Sequence, residues 1–341
     1  MQISKILSCR SFQDWPSYDL VFEWEDDLAN ELSVPIENIN SVVKVLWYRR
    51  VLYNRYSRKL FGLFSSNSFD DFCAKIFPQN DFNLCFELSA SSGPSVSTSR
   101  TSIPVIIDFW KHTDLNNFYE VYKNCKLVLV SSLEVVNFLK IKGCPLPLLH
   151  FPLSISDRYK LDPALLHAKQ YDILLAGRTN EVLLTYLQEY SVKYPEIEFL
   201  RQENIDGELH YVSNKKGVIG KFHTRKEYMD LLRASRIGFY STPGIDGGEE
   251  RTGGFNPVTP RFLELLSAQC LVLGRYPDNE ETAFYELDKV CPNITTYADF
   301  ECVINDYLNH AVVPIDEYQN ILQKHYTSCR AKQLIEIIKQ Q

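Results

Sequence analysis

Five glycines lie within the eleven residues 244–254, and a helix-forming pattern begins a few residues later. A loop of this kind lets backbone amides approach a phosphate closely. Thr259 and Pro260 fit the cap and first turn of the following helix, and such a helix start is a natural anion site. The segment therefore predicts phosphate binding, with Gly253, Gly254 and Thr259 as candidate contacts.

Two charged side chains in the same predicted helix could complete that site. Arg261 in the first turn suits a diphosphate, and Glu264, one turn later, suits the two hydroxyl groups of a ribose. The structural alternative is an exposed i,i+3 ion pair between the two residues, worth only about a few tenths of a kcal/mol. Both interpretations fit the pattern.

Gly177 and Arg178 directly follow a predicted strand over Tyr171–Ala176. Open α/β sheets bind ligands at the carboxyl ends of their strands, so Arg178 could hold a phosphate there. Taken alone, the pair is better explained as a strand-to-helix turn with a solvated arginine beside it. The chain has no G-x-G-x-x-G and no G-K-S/T segment, so neither a dinucleotide site nor a P-loop is supported.

A carboxylate and an imidazole follow another predicted strand, Ile103–Ile107, in the first half of the chain. Asp108 and His112 at this strand end could serve as a general base and its orienting partner. The structural alternative is a helix cap at Asp108 or Asp114, with a surface imidazole at His112. As a cluster, Asp108 and His112 are the best catalytic candidates in the sequence.

A basic segment over residues 44–59 is interleaved with aromatic and aliphatic side chains. As a helix it would suit an anionic membrane or a lipid-linked phosphate, although Arg49 falls on its apolar side. A core helix whose basic side chains reach the surface explains the segment at least as well. The candidate acceptor or membrane contacts are Arg49, Arg50, Arg55, Arg58 and Lys59.

Short apolar runs alternate with helix-period segments along the chain, which is typical of β-α units that build a parallel sheet. The predicted strands are Asn83–Leu88, Ile103–Ile107, Leu127–Val130, Tyr171–Ala176, Ile197–Leu200, Arg236–Ser241 and Cys270–Leu273. Prolines between residues 143 and 157 interrupt the pattern and mark a boundary. We therefore expect α/β domains over residues 1–155 and 156–315, and a helical segment over residues 316–341.

Composition narrows the class of protein. The chain has 341 residues, 45% hydrophobic and 23% charged, which predicts folded domains, and its net charge of -7 disfavours nucleic acid as a partner. Nine scattered cysteines without a C-x-x-C pair indicate reduced thiols and no zinc cluster. No signal-peptide core and no apolar run near the roughly 18 residues of a membrane span occur. We expect a cytoplasmic protein, with peripheral contact at the inner face of the membrane through the basic segment.

Four segments of the second half carry a family resemblance: YDILLAGRTN, GKFHTRKEYMDLLRASRIGFYSTPG, GGFNPVTPRFLELLSAQCLVLG and HYTSCRAKQLIEII. In order and spacing they resemble the C-terminal half of GT-B glycosyltransferases of the group-1 type, particularly the CgeB-like branch. The first half is similar in outline only, through IPVIIDFWKH and CKLVLVSSLEVVNFLKIKGCP.

The resemblance implies two Rossmann-like domains facing a cleft, with an acceptor bound by the first, a nucleotide sugar by the second, and a last helix crossing back to the first. By similarity, Glu264 would bind the donor ribose, Arg178 and Lys221 the diphosphate, and the loop before Thr259 the phosphates and sugar. Members of the family need no metal, because cationic side chains and helix N-termini stabilise the nucleoside diphosphate leaving group. No cofactor besides the donor itself is expected.

One position departs from the resemblance. Retaining members carry a glutamate eight residues before the one matching Glu264, and this chain has Asn256 there, so retention and inversion both stay open. The expected activity is transfer of a sugar to a hydroxyl of a glycan or lipid-linked acceptor in surface-polysaccharide or glycoconjugate assembly. Asp108 or His112 would be the base if the reaction inverts. A sugar-nucleotide epimerase of the same architecture and a non-catalytic scaffold that docks a membrane or partner are the alternatives.

Overall fold

The computed structural model of the chain describes residues 2–11, 13, 16–39, 81–93, 95–110, 112–222 and 224–340. These residues form two α/β domains, each built on a six-stranded sheet. The predicted acceptor or membrane contacts Arg49, Arg50, Arg55, Arg58 and Lys59 lie outside the described residues. In the part that is described, no helix is both long and apolar enough to cross a bilayer.

The sheet of the first domain is wholly parallel, with the strand order β2-β1-β3-β4-β5-β6. Its strands are β1 (Gln2–Ser8), β2 (Ile36–Asn38), β3 (Asp81–Ser89), β4 (Ser102–Asp108), β5 (Val128–Val130) and β6 (Leu148–His150). All of β4 except its last residue is buried, as expected for a parallel strand covered on both faces. Asp108 is that last residue, so the strand delivers its carboxylate to the carboxyl edge of the sheet.

Among the described residues of this domain, three helices flank the sheet: α1 (Pro16–Leu32), α2 (Leu115–Tyr122) and α3 (Leu133–Ile141). The Asp114 carboxylate caps α2 by accepting hydrogen bonds from two backbone amides in its first turn. Ser132 caps α3 in the same way. The helix-cap interpretation of Asp114 is therefore confirmed.

The second sheet has the order β10-β9-β8-β7-β11-β12. Its strands are β7 (Tyr171–Leu175), β8 (Phe199–Ile205), β9 (Glu208–Ser213), β10 (Gly217–Gly220), β11 (Ser235–Ser241) and β12 (Leu271–Arg275). β8, β7, β11 and β12 run parallel, whereas β9 and β10 add an antiparallel ribbon at one edge. The direction of strand addition reverses between β7 and β11, which is where such sheets bind ligands.

The α-helices described in this second domain are α4 (Glu181–Lys193), α5 (Arg225–Ala234), α6 (Glu249–Thr252), α7 (Arg261–Ser267), α8 (Glu280–Phe284), α9 (Tyr297–Asn309) and α10 (Ile315–Leu322). α7 is the central one, because residues 262–267 are all buried. Pro260 occupies its N-cap position, and no side chain caps it. The cap predicted at Thr259 is therefore wrong, since the Thr259 hydroxyl is buried without a hydrogen-bond partner among the described residues.

The last helix, α11 (Thr327–Lys339), packs on α1 and returns the chain to the first domain. Ala331, Leu334 and Ile338 of α11 belong to the first domain's hydrophobic core. α10, by contrast, lies in the core of the second domain. The segment that the sequence analysis treated as one unit, residues 316–341, is thus shared between the domains.

The two segments that connect the domains lie side by side. Ile155 pairs in parallel with Tyr326, and the buried Arg330 guanidinium donates to the carbonyls of Pro152 and Leu153. Two Rossmann-like domains linked in this way, with a last helix crossing back, form the GT-B architecture. The predicted fold class is confirmed.

Candidate functional site

The turn after β7 brings Gly177 against Arg261. Gly177 has a φ of +69°, and a Cβ built on it would lie 1.9 Å from Nη2 of Arg261. Both the left-handed backbone and the close guanidinium therefore demand glycine here. Two residues that the sequence places 84 positions apart meet at the carboxyl edge of the second sheet, as a shared phosphate site requires.

Two buried polar groups at the start of α7 have no hydrogen-bond partner among the described residues. The Arg261 guanidinium is hydrogen-bonded to Tyr228, yet its Nε is buried and has no partner among the described residues. The neighbouring Thr259 hydroxyl is in the same condition. Buried donors are normally satisfied, so two such groups two residues apart at the start of α7 suit a ligand that accepts hydrogen bonds.

Arg178, Arg251 and Arg261 form what we call the arginine cluster. Burial lowers the pKa of Arg178, and repulsion from Arg251 and Arg261 lowers it further. The attraction of Asp108, a residue of the first domain, acts in the opposite direction. A guanidinium group held close enough to two others to be repelled by both suits a site for an anion of more than one charge.

Asp108 faces this cluster from across the domain boundary. Burial raises its pKa to about 6, although the charges of Arg251 and Arg178 pull it down. A carboxylate with this pKa is ionised at neutral pH and is a stronger base than an ordinary aspartate. The structure therefore places a basic carboxylate of the first domain opposite Arg178 and Arg251 of the second domain.

Two residues of this constellation were missed in the sequence analysis. The Arg251 guanidinium carbon lies 5.1 Å from the ring centroid of Trp110, two residues beyond Asp108. Arg251 is the only positively charged residue in the glycine-rich segment 244–254, and this was the feature of the sequence that could have identified it. Sequence patterns do not show that this loop reaches the other domain.

His112 is exposed, in the turn just before α2. Its neighbour Asp114 is occupied in capping that helix. The structure thus shows a cleft-facing environment for Asp108 and a surface position for His112. The catalytic role of His112 stays a prediction.

The glycine-rich loop is braced from inside. The buried Asn256 side chain accepts hydrogen bonds from the Thr242 hydroxyl at 2.7 Å and the Gly244 amide at 3.0 Å, and it donates to the Gly254 carbonyl at 2.9 Å. Asn256, at the position where the resemblance expects a glutamate, therefore stabilises the loop through its side-chain hydrogen bonds.

The amides of all five loop glycines donate within the loop itself. Asp246, at the other end, accepts a bidentate pair from Arg275 at 2.6 and 2.8 Å and a bond from Asn180. In this structure the charge available to a phosphate comes from arginine side chains and not from the amides of Gly253 and Gly254. Their predicted donor contact stays a prediction.

Glu264 is buried, with 3% of its surface exposed, and its carboxylate accepts from Arg225 of α5. Arg225 also reaches Glu23 of α1 at 3.3 Å, so one guanidinium joins two acids from different domains. The exposed ion pair with Arg261 is therefore not what the structure contains. Binding of a ribose by Glu264 stays a prediction.

Lys221 follows the edge strand β10, three strands away from β7. Its ammonium group pairs with Glu208 at 2.7 Å on the surface of the ribbon. Lys221 thus follows a strand three places along the sheet from β7, and its charge is paired within the ribbon. Its predicted contact with the diphosphate stays a prediction.

The domains are also joined at the start of α3. Buried Glu281 accepts hydrogen bonds from the Leu133 amide at 2.6 Å and the Ser132 hydroxyl at 3.1 Å. Glu134, in turn, accepts from the Asn256 amide at 2.7 Å. Burial raises the pKa of Glu281 to about 7, against the opposing effect of these donors. One helix of the first domain thus holds both α8 and the glycine-rich loop of the second.

A small recess opens at the carboxyl ends of β7 and β11. Its lining residues are Leu175, Ala176, Arg178, Thr179, Asn180, Leu183, Phe239, Tyr240 and Ser241. Within the described residues, no group of three or more potential metal ligands occurs.

No family model matches the chain, and no match is found among curated proteins. Among solved structures, the chain is similar to the crystal structure of a GtfA/B complex, with 10% identity and a TM-score of 0.49. It is also similar to the pneumococcal O-GlcNAc transferase GtfA in complex with UDP and GlcNAc, with 11% identity and a TM-score of 0.45. Each match covers 76% of this chain and 57% of the other, so the chain spans little more than half of those proteins.

Proposed function

We propose that the chain is a glycosyltransferase that moves a sugar from a nucleotide-sugar donor to a hydroxyl group of an acceptor. The observation that carries this proposal is the opposition of Asp108 to the arginine cluster across the domain boundary. Sugar transfer needs both a base for the incoming hydroxyl and cations for the departing diphosphate. The two sheets supply one requirement each.

In the proposed reaction, the Asp108 carboxylate takes the proton of the acceptor hydroxyl as the acceptor oxygen attacks the anomeric carbon. The bond from that carbon to the diphosphate oxygen breaks, and the nucleoside diphosphate leaves with the electron pair. Arg178 and Arg261 neutralise the charge that develops on it. With Asp108 as base the acceptor attacks opposite the leaving group, so the anomeric centre inverts.

Arginine side chains take the place of a divalent cation in this scheme, and we propose a metal-independent reaction. The proposed acceptor is a glycan or a lipid-linked sugar in surface-polysaccharide or glycoconjugate assembly. Its support is the basic segment over residues 44–59, which also underlies the proposed peripheral position at the membrane.

The first experiment is a thermal-shift and calorimetric titration with UDP, GDP, dTDP, CDP and CMP, followed by sugar nucleotides of the base that binds. We expect one nucleoside diphosphate to stabilise the protein and Arg261→Ala to abolish that effect. Arg201→Ala is the control, because this arginine of the same domain pairs with Glu203 outside the cluster. If no nucleotide stabilises the protein, the transferase proposal fails and the scaffold function replaces it.

The second experiment incubates the bound sugar nucleotide with and without acceptor extracts and follows products by NMR. Transfer to an acceptor, with inversion at the anomeric carbon, is the expected result. Conversion of the sugar nucleotide into its epimer without acceptor would replace the transferase with an epimerase. Retention of configuration would overturn the assignment of Asp108 as base.

A further inference from the structure

Arg251 sits on the single-turn helix α6 in the middle of the glycine-rich loop. Gly247, before α6, has a φ of +92°, and Gly253, after it, has a φ of +66°. On the inner side, a Cβ on Gly248 would lie 1.9 Å from the Pro243 carbonyl oxygen, so α6 rests directly on the chain below it. The glycine-rich loop therefore holds the short helix α6 in a defined position.

Both flanks of this support are fixed to different parts of the molecule. Asp246 is held by Arg275 of β12, and Asn256 is held by Glu134 of the first domain. Phe255 adds an edge-to-face contact with Phe138 of α3, at 5.1 Å between ring centroids. The position of Arg251 is therefore specified from both domains.

The Arg251 guanidinium lies over the Trp110 ring, close enough to Asp108 and Arg178 to influence the pKa of each. Among the described residues, no carboxylate lies within ion-pair distance of it. Stacking on an aromatic face leaves the in-plane N–H groups of a guanidinium available, and their fork matches two phosphate oxygens. The donors of Arg251 can thus serve a ligand while Trp110 holds the group in place.

We propose that Arg251 and Trp110 form an interdomain clamp on the diphosphate of the donor. Arg251 is the residue that contacts the phosphate next to the sugar, and Trp110 is the positioning residue that holds its guanidinium from the first domain. This inference rests on the proposed function. It adds that a bound diphosphate would contact both the glycine-rich loop and, through Trp110, the carboxyl edge of the first sheet, beside Asp108.

The clamp predicts that Arg251 matters for binding a nucleoside diphosphate but not for binding the monophosphate of the same nucleoside. Arg251→Ala should lower the affinity for the nucleoside diphosphate by about 10- to 100-fold, the usual range for a hydrogen bond to a charged group. It should change the affinity for the monophosphate by less than about threefold. Glu250→Gln is the matched control, because Glu250 is an exposed neighbour on the same helix turn. It should leave both affinities unchanged.

Trp110 is tested by its coupling to Arg251. Trp110→Ala should lower the affinity for the diphosphate in the wild-type background and have little further effect in the Arg251→Ala background. Trp110→Phe keeps an aromatic face and should retain most of the affinity. Intrinsic fluorescence should change on diphosphate binding in the wild type and lose that change in Trp110→Phe. Circular dichroism and thermal unfolding confirm that each variant is folded.

The outcomes distinguish this inference from the proposed function. If no nucleoside diphosphate binds the wild type, the proposed function fails, and the clamp with it. If the diphosphate binds and Arg261→Ala abolishes binding while Arg251→Ala does not weaken it, the clamp is wrong and the function stands. Equal losses for monophosphate and diphosphate, or additive effects of the Trp110 and Arg251 substitutions, would also overturn it.

Discussion

The carboxyl edges of the two sheets differ in the charge they present. The first edge offers Asp108, a carboxylate whose burial makes it basic, and the second offers arginines that repel one another. Asp108 and Arg178 each find their opposite charge in the other domain, whereas Glu264 offsets Arg261 within the second domain. If the proposed reaction takes place at this boundary, each edge can be disabled separately. Loss of the first edge should then lower the rate, and loss of the second should lower donor affinity.

The largest effect is expected at the first edge. Asp108→Asn removes the proposed base and should lower kcat by about 10²- to 10⁴-fold, with the donor Kd changed little. Because only the ionised carboxylate accepts a proton, wild-type activity should fall as the pH drops through about 6, the pKa to which burial raises Asp108. A pH–rate profile measures both points.

Asp306→Asn, at an exposed aspartate of α9, is the control for that substitution. A variant of Asp108 that keeps full activity would remove the first edge from the mechanism. An acid limb that persists near pH 6 in Asp108→Asn with residual activity would assign that limb to another group.

The second edge is probed by Gly177→Ala. The new methyl group would meet the Arg261 guanidinium, and the alanine would also adopt a left-handed backbone at a cost of about 1–2 kcal/mol. We expect donor affinity to fall by at least about tenfold, the equivalent of roughly 1.4 kcal/mol. Calorimetric titration with the nucleoside diphosphate is the measurement.

Gly207→Ala is the matched control for this variant. Gly207 has a φ of +85°, yet nothing lies within 4 Å of a Cβ built there, so it carries the backbone cost without the collision. Both variants should lose stability, and only Gly177→Ala should lose donor affinity. Equal affinities would show that Arg261 does not need its observed position.

The brace inside the glycine-rich loop should matter less. Asn256→Ala removes two buried hydrogen bonds and one partly buried one, and is expected to lower the free energy of unfolding by about 1–3 kcal/mol. Urea unfolding measures this, with Asn309→Ala at an exposed helix end as control. If Asn256→Ala abolished transfer while the fold and the loop remained intact, Asn256 would have a role in the chemistry beyond bracing.

The smallest effect concerns the contact between α8 and α3. Burial raises the pKa of Glu281 to about 7, above its ordinary value of 4.5, so the folded state binds this proton more tightly than the unfolded state. The contribution of Glu281 to the free energy of unfolding therefore decreases as the pH rises from about 4.5 to 7. Between pH 6 and 7 the decrease is about 1 kcal/mol.

Glu281→Gln should remove that part of the pH dependence. Unfolding free energies of wild type and variant, measured from pH 5 to 8, give the difference directly. Parallel curves would mean that Glu281 is ionised throughout, as its three hydrogen-bond donors would favour.

The sequence predicts much of the framework that carries both edges. Strand ends are visible where an apolar run meets a polar turn, which is why Asp108 and the pair Gly177–Arg178 could be identified. The start of α7 was equally legible from Pro260. The strands β9 and β10 were not predicted, because their alternation is interrupted by Lys215, Lys216 and Gly217 and they gain their stability from pairing with β8.

The parts of the site that could not be predicted depend on which way side chains turn. Asn256 points into its own loop and Glu264 toward Arg225, and local periodicity specifies neither direction. Arg251 reaches Trp110 only because two domains are packed together. Contacts of this kind depend on tertiary packing between residues far apart in the chain, which a single sequence does not encode in its local pattern.

The helix that crosses back has a consequence for the order of synthesis. Ala331, Leu334 and Ile338 belong to the first domain's core, although more than 150 residues of other structure are translated between β6 and α11. While the ribosome makes the second domain, the apolar surface of α1 that α11 covers in the folded protein therefore still lacks that helix. Chaperone recognition of the nascent chain should last until α11 emerges.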